Sequence, residues 1–203
     1  MRPRFPGQLK AGLNIKMEKL VVGLVGPLGS GKTTVAGYLV SQGYKSLRFS
    51  DPINKEVLER GLKIERKVQQ DVGDELREKH GNDYISQLLV KEINVSRESK
   101  FVVEGFRNPA EIGPFRKLKR FILVGLVADP KVRFERLVGR GQERDPKVWE
   151  DFGLQDERDQ GIDQPEHGQN VRGCLELADF VVDTDSPLAE VYNRVVRIIE
   201  EAK

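Results

Sequence analysis

The stretch Gly26-Pro27-Leu28-Gly29-Ser30-Gly31-Lys32-Thr33 follows the pattern GxxxxGK[ST], and it decides the fold of this chain. The glycines let the backbone curl so that several N–H groups point at one anion. In this pattern the lysine supplies a charge for the β- and γ-phosphates, and the threonine hydroxyl can hold Mg²⁺. We therefore expect ATP to be bound by Gly26, Gly29, Ser30, Gly31, Lys32, Thr33 and Thr34.

The residues on either side of this phosphate loop fit a strand and a helix. The apolar run Leu20–Val25 predicts a buried strand, and residues 33–40 predict a helix. This order places the positive end of the helix dipole against the phosphates. The context therefore favours a nucleotide-binding loop over a loop with a purely structural role.

Strand and helix patterns alternate along the rest of the chain. Residues 44–49, 101–104, 121–127 and 179–183 predict further strands, and helical patterns separate them, including 52–60, 65–79, 83–95 and 109–118. Residues 140–167 are polar and predict a small lid. The alternation indicates an α/β fold, a five-stranded parallel sheet with helices on both faces, in one domain over residues 19–203. Ligands of such sheets lie beyond the carboxyl ends of the strands.

Composition narrows the class of protein. The 203 residues include 34 basic and 32 acidic side chains, and this balance argues against a protein that coats nucleic acid. One cysteine predicts a reducing, cytoplasmic compartment, and no apolar run is long enough for a membrane span.

Residues 1–18 predict a flexible tail, or a start-codon artefact with Met17 as the true start; a functional basic arm is the alternative.

Two charged residues follow the predicted strand 101–104. Glu104 ends this strand, at the sheet edge that also carries the phosphate loop. We therefore expect Glu104 and Thr33 to hold Mg²⁺ or its water shell. The alternative is a carboxylate that caps the next segment. Arg107 then emerges beside the phosphates, where its planar fork can grip an anionic substrate; a solvent-exposed loop cation is the alternative.

A polar stripe runs along the predicted helix 65–79. Arg66, Gln70, Gly73 and Arg77 are spaced so that they share one helix face. Two arginines, one glutamine and one glycine make a poor core face. The stripe is therefore either a solvated surface or the wall of an anionic pocket, and composition leaves both open.

A second set of arginines lies where a predicted helix meets the lid. It comprises Arg133, Arg136, Arg140 and Arg144. Arginines at such a hinge can close over a transferring phosphoryl group and neutralise its charge, which is the catalytic role expected of Arg136 and Arg140 together with Lys32. An ordinary charged helix face remains open as the alternative, most of all for Arg133.

Taken together, these residues resemble the P-loop nucleoside and deoxynucleoside monophosphate kinase superfamily. The segment Glu104-Gly105-Phe106-Arg107 is similar to the Asp-Gly-Phe-Pro-Arg segment of adenylate kinases, with Glu for Asp and without the proline. Phe49-Ser50-Asp51-Pro52, the stripe from Arg66 to Arg77, residues 81–85 and Arg107-Asn108…Glu111 resemble phage-type deoxynucleoside monophosphate kinases. Residues 129–145 and 156–158 resemble archaeal proteins related to dephospho-coenzyme A kinases.

The resemblance implies a P-loop kinase fold with ATP and Mg²⁺ as cofactors. It also implies a small-molecule phosphate acceptor, and it supports Arg66, Gln70, Arg77 and Arg107 as acceptor ligands. No nucleic-acid or membrane partner is implied. Different segments of the chain resemble different groups of kinases, so the identity of the acceptor stays open.

Three functions are compatible with the sequence. The first is transfer of the γ-phosphoryl group of ATP to a nucleoside or deoxynucleoside monophosphate, which needs no general base. The second is phosphorylation of a hydroxyl, as in a dephospho-coenzyme A kinase, with Asp51 as the base. However, Asp51-Pro52 is also the expected start of a helix, with Asp51 as its N-cap. The third is an ATP-binding switch or partner module with little transfer activity.

Overall fold

A computed structural model describes residues 18–143 and 145–202 of the chain. The predicted tail, apart from its last residue, and Arg144 lie outside the described residues. The strands are β1 (Leu20–Val25), β2 (Lys45–Arg48), β3 (Lys100–Glu104), β4 (Arg120–Val127) and β5 (Phe180–Asp183). The larger helices are α1 (Lys32–Ser41), α2 (Ser50–Glu59), α3 (Arg66–His80), α4 (Tyr84–Val95), α6 (Pro130–Arg140), α7 (Trp149–Gln160) and α9 (Leu188–Glu201).

Shorter helical pieces complete the described fold. A 3-10 turn (Pro109–Glu111) leads into α5 (Ile112–Arg116), and α8 (Val171–Glu176) precedes the last strand. The sequence predicts one helix over 109–118, whereas the structure divides it. Gly113 and Pro114 explain why no long helix forms here. Glycine loses more conformational entropy than other residues when it becomes helical, and proline has no backbone N–H to donate to the preceding turn.

The five strands form one sheet in the order β2-β3-β1-β4-β5, and every neighbouring pair is parallel. The α/β fold predicted from the sequence is therefore confirmed. In the register of the sheet, Leu24 lies beside Glu104, and Glu104 lies beside Arg48. The phosphate loop that follows β1 thus shares one sheet edge with the carboxylate that ends β3.

The core has a layer on each face of the sheet, because successive strand residues point to opposite faces. Along β1, Val21 and Val25 pack with residues of α2, α3 and α4, while Leu20, Val22 and Leu24 pack with α1 and α9. All six β1 residues are buried. The central strand is therefore rigid, and the loop that follows it starts from a fixed position.

The predicted lid contains helix α7. Phe152 on α7 packs against Leu28 in the phosphate loop and Leu137 on α6. This small apolar cluster holds the lid helix against the loop. Within the described residues, no helix is both long and apolar enough to cross a membrane.

Candidate active site

A cavity of about 950 Å³ opens at the carboxyl edge of the sheet. It is lined by the phosphate loop, the end of β3, helices α2 and α3, and the lid hinge. The structure therefore brings together nearly all of the residues predicted from the sequence. Those in the cavity wall are Gly29, Ser30, Gly31, Lys32, Thr33, Thr34, Asp51, Arg66, Gln70, Arg77, Glu104, Arg107, Arg136 and Arg140.

The phosphate loop has the backbone that its glycines allow. Gly29 has a φ of 79°, a left-handed conformation, and a Cβ at this residue would lie 2.6 Å from the backbone oxygen of Arg133. Helix α1 begins after Gly31, and no side chain caps its first N–H groups. These donors can therefore receive an anion at the positive end of the helix dipole.

The Lys32 side chain folds back over this loop. Its ammonium donates to the carbonyl oxygens of Gly26 at 2.6 Å and Pro27 at 2.8 Å. Burial of the ammonium lowers the pKa of Lys32 to about 7, and the charges of Arg107 and Arg66 add to this effect, whereas Asp159 and Glu104 oppose it. Arg66 and Arg107 line the same cavity as Lys32.

Thr33 and Glu104 meet at the base of the cavity. The Thr33 hydroxyl donates to Oε2 of Glu104 at 2.9 Å, and Nε of Arg48 donates to Oε1 at 2.9 Å. This donor set fits Mg²⁺, which favours oxygen ligands and usually takes one or two protein groups with the nucleotide phosphates. Among residues 18–143 and 145–202, no three His, Cys, Asp or Glu side chains form a metal cluster by themselves.

Arg48 is a site residue that sequence reasoning missed. It approaches Glu104 because β2 and β3 are neighbours in this register. The pairing of two strands that are separated by three helices carries no short-range sequence signal.

Replacing Glu104 by glutamine should raise the Mg²⁺ concentration needed for half-maximal turnover of ATP by about tenfold or more. It should also lower the maximal rate of ATP turnover, because an anionic oxygen is lost. A Mg²⁺ titration with ATP in excess checks this. Glu92→Gln is a matched control, since Glu92 pairs with exposed Lys45 on the surface. An unchanged Mg²⁺ requirement in Glu104→Gln would exclude a role of Glu104 in holding Mg²⁺.

The stripe on α3 forms part of the cavity wall rather than a solvated face. Arg66, Gln70, Gly73 and Arg77 all line the cavity. A Cβ at Gly73 would lie 3.2 Å from Cδ1 of Ile53, so the glycine leaves room between α3 and α2. The sequence left both interpretations of this stripe open, and the tertiary structure decides for the pocket wall.

Arg77 differs from the other residues of the stripe in its surroundings. Only 2 % of its side chain is exposed, and the guanidinium donates to the His167 backbone oxygen at 2.7 Å, to Glu111 at 3.1 Å and to Asp74 at 2.5 Å. Three nitrogens thus already have protein acceptors. Arg77 therefore holds the wall of the pocket together, and its predicted contact with an acceptor stays a prediction.

Glu111 is the buried centre of this wall. Its side chain is fully buried, and its carboxylate accepts from Arg77 and from the backbone N–H groups of Arg107 and Asn108. Burial raises the pKa of Glu111, and the charge of Arg77 opposes the shift. The sequence contains a usable signal, since Asn108 and Glu111 have the spacing of a capping box.

The remaining predicted arginines make ion pairs with lid carboxylates. Arg107 pairs with Asp159, while Arg140 makes two contacts with Asp145, at 2.6 and 2.8 Å. Arg66 approaches the same Asp145 at 3.5 Å. The charges of these arginines are therefore matched by acidic groups of the lid. Sequence reasoning missed both aspartates. Arg66 and Arg107 are 79 and 52 residues from their partners, although Arg140 is only five residues before Asp145.

The two arginines of α6 nearest the phosphate loop have different roles. Arg136 donates to the hydroxyl of Thr184 at 3.0 Å and to its backbone oxygen at 2.6 Å. Arg133 is buried, and it donates to the Leu28 carbonyl oxygen at 3.0 Å. The interpretation of Arg133 as part of an ordinary charged helix face is therefore wrong.

Asp51 does not cap a helix. Helix α2 begins at Ser50, its N-cap is Phe49, and no side chain makes a capping hydrogen bond. Asp51 lies in the first turn and lines the cavity. Its partial burial raises the pKa of the Asp51 carboxyl, opposed by a backbone hydrogen bond and the charge of Arg48. The expectation of an N-cap is wrong, and the carboxylate faces the cavity.

Comparison with known proteins agrees with this architecture. A family model described as an AAA domain matches residues 22–184. The UPF0200 proteins of Thermococcus onnurineus and Pyrococcus horikoshii are each 30 % identical over 187 residues, which is 90 % of this chain and 97 % of the relative.

Solved structures of similar fold include the shikimate kinase of Acinetobacter baumannii in complex with shikimate. Its TM-score is 0.54 at 21 % identity, and the match covers 92 % of this chain and 96 % of that one. TT1252 from Thermus thermophilus matches with a TM-score of 0.58 at 19 % identity, over 92 % and 99 % of the two chains. The fold is thus that of small P-loop kinases. The chain belongs to the family whose model is described as an AAA domain, and to the UPF0200 proteins.

Proposed function

We propose that the chain transfers the γ-phosphoryl group of ATP to a nucleoside or deoxynucleoside monophosphate, with Mg²⁺. The observation that carries this proposal is the position of Arg66 and Arg107. Both line the same cavity as Lys32, and the charges of both act on its ammonium. An acceptor that brings its own negative charge fits between these cations.

The roles of the residues follow from this arrangement. Lys32 and the N-terminus of α1 hold the β- and γ-phosphates, and Thr33 with Glu104 would hold Mg²⁺, which would supply positive charge against the phosphates. Arg66 exchanges the carboxylate of Asp145 for an oxygen of the acceptor phosphate, while Arg107 keeps its Nη1 on Asp159 and offers its other nitrogens to the acceptor. Gln70 lines the same cavity, and its side-chain amide donates to Gln169 at 3.5 Å.

The chemical step needs positioning and charge neutralisation. An ionised oxygen of the acceptor phosphate attacks the γ-phosphorus, and the bond to the β–γ bridging oxygen breaks, which releases ADP. No proton has to be removed, because the nucleophile is already an anion. Arg136 and Arg140, at the lid hinge, supply positive charge to the group in flight.

The test is an acceptor panel. ATP, Mg²⁺ and each of the common ribonucleoside and deoxynucleoside monophosphates are incubated with the protein, and the diphosphate product is quantified by chromatography. We expect one or a few monophosphates to be converted well above the rate of ATP hydrolysis alone. Failure of every monophosphate to exceed that background would contradict the proposal.

A hydroxyl acceptor is the second candidate, because Asp51 does not cap α2 and lines the cavity instead. Its carboxylate can take the proton of an attacking hydroxyl. A kinase of similar fold has been solved in complex with the small molecule shikimate, and this agrees with a small-molecule acceptor here. Dephospho-coenzyme A and shikimate therefore join the panel.

Replacing Asp51 by asparagine separates the two chemistries. With a phosphate acceptor we expect turnover to fall by less than about fivefold, whereas loss of a general base costs about 10²- to 10⁴-fold. ATP affinity should be unchanged in either case, and calorimetry with ATP and Mg²⁺ checks this. A loss of two orders of magnitude or more would overturn the monophosphate proposal in favour of the hydroxyl.

Ligand-induced thermal shifts test the third function. If ATP alone stabilises the protein, and no monophosphate or coenzyme precursor adds to the shift, the chain acts as an ATP-binding module rather than a kinase. Additional stabilisation by an acceptor supports phosphoryl transfer.

A further inference from the structure

Lid helix α7 makes ion pairs with three separate parts of the site. Asp156 pairs with Arg133 behind the phosphate loop, and Asp159 pairs with Arg107 after β3. Between them, Arg158 pairs with Asp71 and Asp74 on α3. One helix therefore contacts the donor loop, the acceptor arginine and the acceptor helix.

The contact of Asp156 supports the donor loop. Its carboxylate receives two hydrogen bonds from Arg133, at 2.6 and 2.8 Å, the paired geometry that holds a guanidinium most firmly. Arg133 is buried and donates also to the carbonyl oxygen of Leu28 within the loop. Gly29 lies directly against the backbone of Arg133. Asp156 thus fixes the group that shapes the back of the phosphate loop.

The contact of Asp159 supports the acceptor arginine. Only 3 % of its side chain is exposed, and Oδ1 accepts from Nη1 of Arg107. Within the described chain, Oδ2 has no hydrogen-bond partner. A buried carboxylate with one bare oxygen depends strongly on its single cationic partner. Arg107 lines the cavity whereas Asp159 does not, so the carboxylate acts from behind the arginine.

We propose that Asp156 and Asp159, three residues apart on α7, are positioning residues for the two halves of the reaction. Asp156 holds the donor loop through Arg133, and Asp159 holds the acceptor-binding fork of Arg107. The lid helix thereby joins donor and acceptor binding. The acceptor part rests on the proposed function, while the donor part needs only ATP.

The experiment compares Asp156→Asn and Asp159→Asn with a matched control. Both substitutions keep the shape of the side chain and remove its charge. Glu157→Gln makes the same change at an exposed position of the same helix, outside these contacts. For each full-length variant, the dissociation constant for ATP with Mg²⁺ is measured by calorimetry, and kcat and KM are measured with the monophosphate that the panel identifies.

We expect Asp156→Asn to weaken ATP binding about tenfold and to change the acceptor KM by less than threefold. Asp159→Asn should raise the acceptor KM about tenfold and weaken ATP binding less than Asp156→Asn does, because Asp159 acts on the donor side only through its charge on Lys32. Asp159→Glu should recover part of that loss, which a purely structural role would not produce. Glu157→Gln should behave as the wild type.

Two results would overturn the proposal. One is equal weakening of ATP binding by both variants, which would show a general defect of the lid. The other is unaltered ATP affinity in a folded Asp156→Asn protein. Both are read with ATP alone, so they remain decisive even when no monophosphate is turned over and the proposed function fails. If Asp156→Asn does not fold, Asp156→Glu replaces it, with an expected loss of ATP affinity of about threefold.

Discussion

Replacing Lys32 by methionine should lower phosphoryl transfer by about 10³-fold, with the larger part in kcat. The methionine keeps much of the volume but removes the ammonium that neutralises charge developing on the β- and γ-phosphates, and loss of one such donor costs about 10²- to 10³-fold. The Lys32 ammonium donates to the carbonyl oxygens of Gly26 and Pro27, so it is held against the phosphate loop.

Single-turnover kinetics at saturating ATP measure this effect. Lys131→Met is the matched control, because Lys131 is an exposed lysine on α6, and its turnover should equal that of the wild type. A loss smaller than about tenfold in Lys32→Met would mean that the loop binds nucleotide without catalysing its transfer.

The same lysine predicts how ATP binding depends on pH. Burial lowers the pKa of Lys32 to about 7, so the side chain becomes neutral as the pH rises above this value. ATP binds the charged form, so affinity should decline between pH 7 and pH 9 by up to about tenfold per pH unit. Calorimetry in this range checks the slope, since the nucleotide phosphates are already ionised there. In Lys32→Met the slope should vanish; a persistent slope would assign it to another group.

Replacing Arg107 by methionine should lower kcat/KM for the acceptor by about 10²-fold and leave ATP affinity within about threefold. A guanidinium can hold a phosphate through two parallel charged hydrogen bonds, each worth roughly 1.5–3 kcal/mol. Arg107→Lys should recover only part of the loss, because an ammonium keeps the charge but not the fork. Steady-state kinetics with varied acceptor at saturating ATP give both parameters.

The loss of Arg107 also leaves Asp159 buried without its partner, so a control for stability is needed. The double variant Arg107→Met with Asp159→Asn removes both charges and should recover the melting temperature but not the acceptor affinity. Arg116→Met, which breaks an exposed ion pair with Asp179, should leave the kinetics unchanged. Recovery of acceptor binding in the double variant would show that Arg107 acts only through packing.

Much of the fold was accessible from local patterns. The predicted strand β1 coincides with the observed Leu20–Val25, and the other predicted strands agree to within one or two residues. Apolar runs bounded by glycines and charged residues mark these elements because a buried strand excludes polar side chains. The interrupted helix at 109–116 was harder, since Gly113 and Pro114 weaken helical hydrogen bonding inside an otherwise regular pattern.

The site was only partly accessible from the sequence. Spacing alone placed the stripe of α3 on one face, but only packing showed that this face lines the cavity. The same holds for Asp51, because the dipeptide Asp51-Pro52 predicts a helix that starts at Pro52, whereas the observed helix starts two residues earlier, at Ser50. The helix begins early because the chain turns into α2 directly after the end of β2, and this overrides the local preference of Asp51-Pro52.

The sequence by itself determined the phosphate loop of this protein. Eight contiguous residues, from Gly26 to Thr33, set their own backbone through glycine conformations and the following helix, and such local geometry needs no distant partner. Only the tertiary structure decided which arginines hold the pocket wall and which face the cavity. Arg107 and Asp159, like Arg133 and Asp156, are far apart along the chain, and their pairing exists only because the lid helix packs against the sheet edge.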